Sequence, residues 1–336
     1  MADQPKPQCG SEKQDEGYDL GLHVLGLFLV LIFSILGCGF PVVAKKIRWM
    51  KIPPKIFFAC KHFGTGVLIA TAFVHLLPTA FESLGDPCLP DLFTKKYPPL
   101  PGVIMMASMF CLFVIEMVLN AKTGGHSHGG PTGIDITVND KASEITSSTA
   151  PAPNSPPSET MFVNEDGKEM TEAEFKKMST NISLLEGGIL FHSIFVGMTV
   201  SITVDGFVVL LIAILFHQMF EGLGLGSRIA AVPYPKKSIR PWLLVVAFGT
   251  TAPIGQAIGL LSRNSYDEKS ALGLIIVGVF NAISSGLLLY AALVDLLAED
   301  FLSDEANHLM NGKKKAIAFC WVLLGAAGMS VVGIFA

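Results

Sequence analysis

The chain has 336 residues, of which 51% are hydrophobic and only 15% charged, which excludes a soluble globular domain and an intrinsically disordered chain alike. The net charge of −4 says little, because the charges are confined to a few loops; no nucleic-acid partner is expected. What remains is a polytopic membrane protein with the lipid bilayer around it.

Residues 1–19 form a polar tail with neither the basic region nor the cleavage pattern of a removable signal peptide, so the first span is expected to direct insertion. Eight apolar segments follow, each of the length needed to cross about 30 Å of hydrocarbon. They are Leu20–Ala44, Ile56–Leu77, Val103–Leu119, Leu184–Thr203, Phe207–Leu225, Trp242–Leu261, Ala271–Leu297 and Ala316–Phe335. Lysine and arginine fix the expected orientation. Lys45, Lys46, Arg48, Lys51 and Lys55 follow span one. Arg228, Lys236, Lys237 and Arg240 follow span five, and Lys313, Lys314 and Lys315 precede span eight. These loops share one side, read as cytosolic, and both termini are then non-cytosolic. Cys9 and Cys88 fall together on the non-cytosolic side, where a disulfide between them is open. The other cysteines read as free thiols in or at the ends of apolar segments, and the six form no CxxC or zinc-finger pattern.

The expected organisation is a tail over 1–19, spans one to three over 20–120, a disordered cytosolic loop over 121–180, a central hairpin over 181–227, a basic cytosolic loop over 228–240 and spans six to eight over 241–336. The long loop is rich in Ser, Thr, Pro and Gly and lacks the apolar content to build a core. Its end, Thr171–Met178, reads as a short surface helix leading into span four. Within it His126 and His128 lie in a GGHSHGG tract, where weak, reversible metal binding for buffering or sensing stands against a plain linker.

An internal repeat is visible. Gly66–Phe81 (GVLIATAFVHLLPTAF) and Gly286–Phe301 (GLLLYAALVDLLAEDF) are identical at seven of sixteen positions with a constant offset. The two copies cross the membrane in opposite directions, the mark of an inverted-topology repeat. The alignment pairs His75 with Asp295.

The chemistry concentrates in the central hairpin. Spans four and five are joined at Val204, Asp205 and Gly206, so short a link that the helices are expected to be antiparallel neighbours. His192 precedes this turn and His217 follows it by similar distances, which puts both at roughly 17 Å of helical rise from it. Glu221, four residues after His217, shares its helix face. An ionisable group in hydrocarbon costs about 2.5–3.5 kcal/mol on insertion scales and usually marks a pathway or a site. Two imidazoles and a carboxylate suit a borderline transition metal such as zinc or ferrous iron.

Other polar residues supply an expected route. His75, Glu82 and Asp86 lie toward the outer side and read as entrance residues. Glu116, Glu186, Asp295 and Glu299 lie toward the cytosol and read as exit residues. Pro253 and Gly255 in span six (TAPIG) mark an expected broken or kinked helix. Gly197, Gly222, Gly224 and Gly226 fit close helix packing. His23, His62 and His308 show no partners in the sequence.

HSIFVG in span four and HQMFEGLGLGSRI in span five resemble the paired signature of the ZIP (Zrt/Irt-like) metal transporters. ACKHFGTGVLIATAFVHLLPTAFESL, TAPIG and LLLYAALVDLL resemble the fungal and plant branch of that family. The resemblance implies an all-α integral membrane fold in a 3+2+3 arrangement, with spans one to three and six to eight as inverted repeats around the span four–five pair. It implies uptake of Zn²⁺ into the cytosol, with Fe²⁺, Mn²⁺ or Cd²⁺ as further substrates, through His192, His217 and Glu221, with Ser193 and Gln218 beside them. It implies the plasma membrane as location and leaves a homodimer open. Val196 and Ala252 occupy positions that are Glu in two-metal members, Gln218 one that is Asp and Ser193 one that is Asn, so a single transport metal is expected. Two other classes are weighed against transport: an intramembrane metal hydrolase, for which no HExxH occurs, and a metal-responsive receptor.

Overall fold

The computed structural model describes residues 6–10, 18–46, 53–122, 162–163, 169–204, 206–235, 237–262, 269–303, 306–307 and 310–335. Among them are eight helices long and apolar enough to cross a bilayer: α1 (Leu20–Lys46), α2 (Pro54–Gly85), α3 (Leu100–Lys122), α4 (Glu172–Ile202), α5 (Phe207–Ala231), α6 (Arg240–Ser262), α7 (Ala271–Leu302) and α8 (Gly312–Val332). The chain is a multi-pass membrane protein whose described spans are all helical. Large side chains left exposed along these helices, such as Phe28, Phe110, Val209 and Leu323, make the apolar exterior that lipid requires.

Local chemistry sets the helix ends. Thr171 and Glu174 form a capping box, in which the Thr171 hydroxyl accepts from the Glu174 amide and the Glu174 carboxylate from the Thr171 amide. The helix expected over Thr171–Met178, leading into span four, is the opening of α4. The loop expected to be disordered over 121–180 is also shortened from within. α3 runs to Lys122, and β1 (Phe162–Val163) pairs antiparallel with β2 (Glu169–Met170) across an intervening sequence of turn-forming residues. α6 continues through Pro253 as one helix, so the expected break does not occur. Close packing holds it: a Cβ at Gly255 would overlap the Ile194 carbonyl of α4, and one at Gly197 the Ala252 carbonyl of α6.

Two helices depart from α-geometry, and at matching places. π-helical turns span Thr71–Leu76 in α2 and Ala291–Ala298 in α7. Thr71 and Ala291 are equivalent positions of the internal repeat, so the likeness extends from residue identity to backbone shape. Such wide turns are rare and frequent at functional sites.

The most extensive packing joins α4 to α6 and α1 to α5; α2 lies on α8, α3 on α7, α2 on α5 and α4 on α7. Exchanging helices one with six, two with seven, three with eight and four with five turns each of these contacts into another. α4 and α5, expected to be close neighbours, touch only sparsely. Their backbones are splayed, and the space between them receives side chains. Glycine permits the tightest crossings. Gly64 of α2 meets Gly224 of α5, and a Cβ on either would overlap the other's Cα; Gly222 and Gly226 sit against Cys38 of α1.

On the side of the α4–α5 hairpin, Cys9 and Cys88 form a disulfide, with Cα atoms 5.1 Å apart. Lys6 reinforces this strap by donating to the Leu89 carbonyl at 2.7 Å and pairing with Asp91 at 2.5 Å. The hydrogen bond from Lys6 holds the Asp91 carboxyl below its ordinary range.

Candidate metal centre

His192 lies ten residues from the end of α4 at Ile202, and His217 ten residues from the start of α5 at Phe207. At 1.5 Å per residue both are about 15 Å from the hairpin side. Their ring centroids are 5.7 Å apart. Glu221 approaches His217 across one helical turn, with Oε2 3.4 Å from Nε2. One ligand atom from each of His192, His217 and Glu221 lies within 4.8 Å of the others. The residues are 1%, 0% and 0% exposed.

Among the described residues, neither nitrogen of His192 or His217 and neither oxygen of Glu221 has a hydrogen-bond partner. Buried polar atoms left this way cost free energy, most of all a carboxylate. A cation that accepts nitrogen and oxygen lone pairs would satisfy them together.

The structure brings in a further histidine. His75, expected at the outer entrance, has its ring centroid 5.7 Å from that of His192 and 5.5 Å from that of His217. The three imidazoles form a nearly equilateral triangle beside Glu221. The sequence misplaced His75 because span two was expected to end at Leu77. α2 continues to Gly85, so His75 also lies ten residues from its helix end. The π-turn around it re-aims the side chain after Thr71.

Ser193 and Gln218 are spoken for in part. The Ser193 hydroxyl donates to the Ile189 carbonyl at 2.9 Å, and the Gln218 amide donates to Ser34 at 3.1 Å, leaving Gln218 Oε1 without a partner. Val196 and Ala252 pack in an apolar cluster with Val30, Val200 and Ile214.

Of the entrance residues, Glu82 is exposed, and Asp86 accepts the Cys88 amide at 2.8 Å, which stabilises the turn carrying the disulfide. Of the exit residues, Glu116 accepts from the Tyr290 hydroxyl at 2.7 Å, and Asp295 lies beside Glu116 with Glu299 and Lys177 nearby. Glu186 belongs to a different group. It is 2% exposed, Oε1 is without a partner, and it faces the charge of Arg240. Burial raises the phenol of Tyr234, beside Glu186 in the α5–α6 connection. His126 and His128 lie outside the described residues.

Sequence reasoning missed one buried network. Arg228, read as part of the basic loop beginning at residue 228, is in the last turn of α5 and only 7% exposed. Its guanidinium donates to Asp300 of α7 at 3.2 and 2.5 Å and to Thr65 of α2 at 2.6 Å. Lys61 pairs with Asp300 at 2.8 Å, and His62 Nδ1 stands 3.6 Å from it. The available signal was spacing: Arg228 follows Glu221 by seven residues, on the same helix face. His23, also given no partner, is held by Asp19 and Thr203 carbonyls at 2.7 and 2.9 Å.

The family described as ZIP zinc transporter matches residues 20–333. Zinc-regulated transporter 2 of Saccharomyces cerevisiae is 34% identical, over 93% of this chain and 94% of the relative. Zinc transporter 9 of Oryza sativa subsp. japonica is 31% identical, over 98% and 94%. Fe(2+) transport protein 1 of Arabidopsis thaliana is 30% identical, over 97% and 90%. These relatives are named as transporters, not as enzymes.

Proposed function

This chain belongs to the ZIP zinc transporter family, and we propose that it moves Zn²⁺, with Fe²⁺, Mn²⁺ or Cd²⁺ as further substrates, into the cytosol across the plasma membrane. The observation that carries the reading is the set of buried donors without partners at His192, His217 and Glu221. The substrate ion is held there with His75 as a fourth donor, and water or Gln218 Oε1 completes the shell as the site changes state.

Four helix-borne donors satisfy a tetrahedral first-row ion, so release requires that one of them leave. His75 is the residue suited to leave, because it comes from α2 while the others come from α4 and α5. A rocking movement of the two three-helix repeats against the α4–α5 pair lengthens that bond and exposes the site to one side at a time. The pairwise exchange of helix contacts supports this 3+2+3 reading. Glu82 and Asp86 attract the ion outside; Asp295, Glu299, Glu116 and Glu186 receive it toward the cytosol. Asp295 and Glu299, near the inner end of α7, offer carboxyl oxygens to a divalent ion leaving the site. Val196 and Ala252 favour one ion at a time, because an apolar cluster supplies no donors for a second.

Uptake of radiozinc into metal-starved cells tests the proposal. His192→Ala should abolish saturable uptake while the protein still reaches the membrane. Undiminished uptake by that variant would remove His192 from the pathway and refute the site. Metal-dependent hydrolysis or signalling without uptake would instead favour the enzyme or receptor reading.

A further inference from the structure

A cleft of about 400 Å³ lies between α2, α5 and α8, lined by Lys55, Ile56, Ala59, Cys60, Phe63, Leu223 and Trp321. Its shape follows from the helices that build it. Lys55 and Ile56 stand in the first turn of α2, at the membrane surface. Phe63 lies nine residues into α2, Trp321 nine residues into α8 and Leu223 eight residues before the end of α5. At helical rise the three sit about 12–14 Å deep from the same face of the bilayer. The cleft is thus a slot running inward from the interface, with one cation at its mouth and apolar or aromatic walls below.

We infer that this slot is a binding site for an anionic phospholipid of the cytosolic leaflet, one acyl chain lying against Ile56, Ala59, Phe63, Leu223 and Trp321 and the headgroup phosphate pairing with Lys55. This rests on the orientation proposed above. Water is excluded as occupant because the walls offer it almost no hydrogen-bond partners. A chain that enters from the headgroup level matches a slot that is charged at one end only. Basic positions between helices on the cytosolic side are where anionic headgroups bind, and Lys313 and Lys314 extend the positive rim at the start of α8.

The position gives the lipid a consequence. Phe63 and Leu223 flank Gly64 and Gly224, the closest approach of α2 to α5, and Phe63 also meets Phe220 edge-on at 5.4 Å. α2 carries His75, and α5 carries His217 and Glu221. An acyl chain wedged at this crossing therefore biases how the donors on the two helices sit relative to each other.

Cys60 provides a native reporter, because it is a free, half-buried thiol on the wall of the slot. Cys111, a free, exposed thiol on α3, serves as control. The full chain in detergent micelles is supplemented with phosphatidylserine or with phosphatidylcholine, and N-ethylmaleimide labelling of each cysteine is followed by mass spectrometry. Phosphatidylserine should slow labelling of Cys60 about fivefold more than phosphatidylcholine does, the factor one lysine contributes at an anionic surface, and should leave Cys111 unchanged. Lys55→Glu should abolish the difference and Lys55→Arg keep it. Equal protection by both lipids, no protection by either, or a preference that survives in Lys55→Glu would each overturn the assignment. Micelles have no leaflets, so any of these results would leave the orientation and the transport reading standing.

Discussion

Neutralising Asp300 is the sharpest probe of how the inner ends of α2, α5 and α7 are held. In Asp300→Asn, Arg228 loses two charge-assisted hydrogen bonds and Lys61 loses its partner. Arg228 is then left buried with its charge uncompensated and only neutral acceptors, the new amide oxygen and Thr65, beside it. Location decides the magnitude. An exposed ion pair is worth about 0–1 kcal/mol, whereas removing one member of a buried pair costs about 3–5 kcal/mol because the other charge is left uncompensated. With Arg228 and Asp300 each 7% exposed, the higher range applies, a factor of roughly 10²–10⁴ in the folding equilibrium. The assay is unfolding by SDS in mixed micelles, followed by circular dichroism, for the full chain and its variants. Joint replacement, Arg228→Met with Asp300→Leu, should cost less than Asp300→Asn alone, because it removes both charges rather than stranding one. A loss below about 1 kcal/mol for Asp300→Asn, or a joint variant as unstable as the sum of the single ones, would refute the reasoning.

Three further outcomes are expected. Gly64→Ala drives a methyl group into Gly224, and since backbone cannot yield as a flexible side chain would, it should cost at least the roughly 1–3 kcal/mol of an overpacked core in the same SDS assay. His75→Ala should weaken zinc binding by roughly 10–100-fold or more, since losing even an outer-shell partner of a metal does that much, with His75→Cys recovering part of the affinity; competitive titration of the purified protein against a zinc chelator measures both. In intact cells, a membrane-impermeant maleimide should label Cys9 and Cys88 only after an impermeant reductant has been added, and labelling without reduction would contradict the strap.

Hydropathy alone makes the eight spans legible, because a bilayer demands about 20 apolar residues per crossing whatever they pack against. The hairpin donors are legible too. His192, His217 and Glu221 are tied to one short turn, so counting residues from it gives their depth. The internal repeat is also visible in the residues, and its π-turns at Thr71–Leu76 and Ala291–Ala298 follow the same alignment.

The tertiary structure decides whatever depends on where separate helices meet. His75 comes within 5.7 Å of His192 and 5.5 Å of His217, ring centre to ring centre, on a helix that runs on to Gly85, beyond the apolar stretch that hydropathy recognises. The TAPIG helix runs unbroken where α4 packs against it. Arg228 reads as a loop cation until Asp300, from a helix 72 residues further along the chain, is brought against it. Residue type and local spacing are fixed along one chain and can be read from it. A contact between distant helices depends on their relative tilt, set by small residues such as Gly64 and Gly224 whose sequence does not say what they will face.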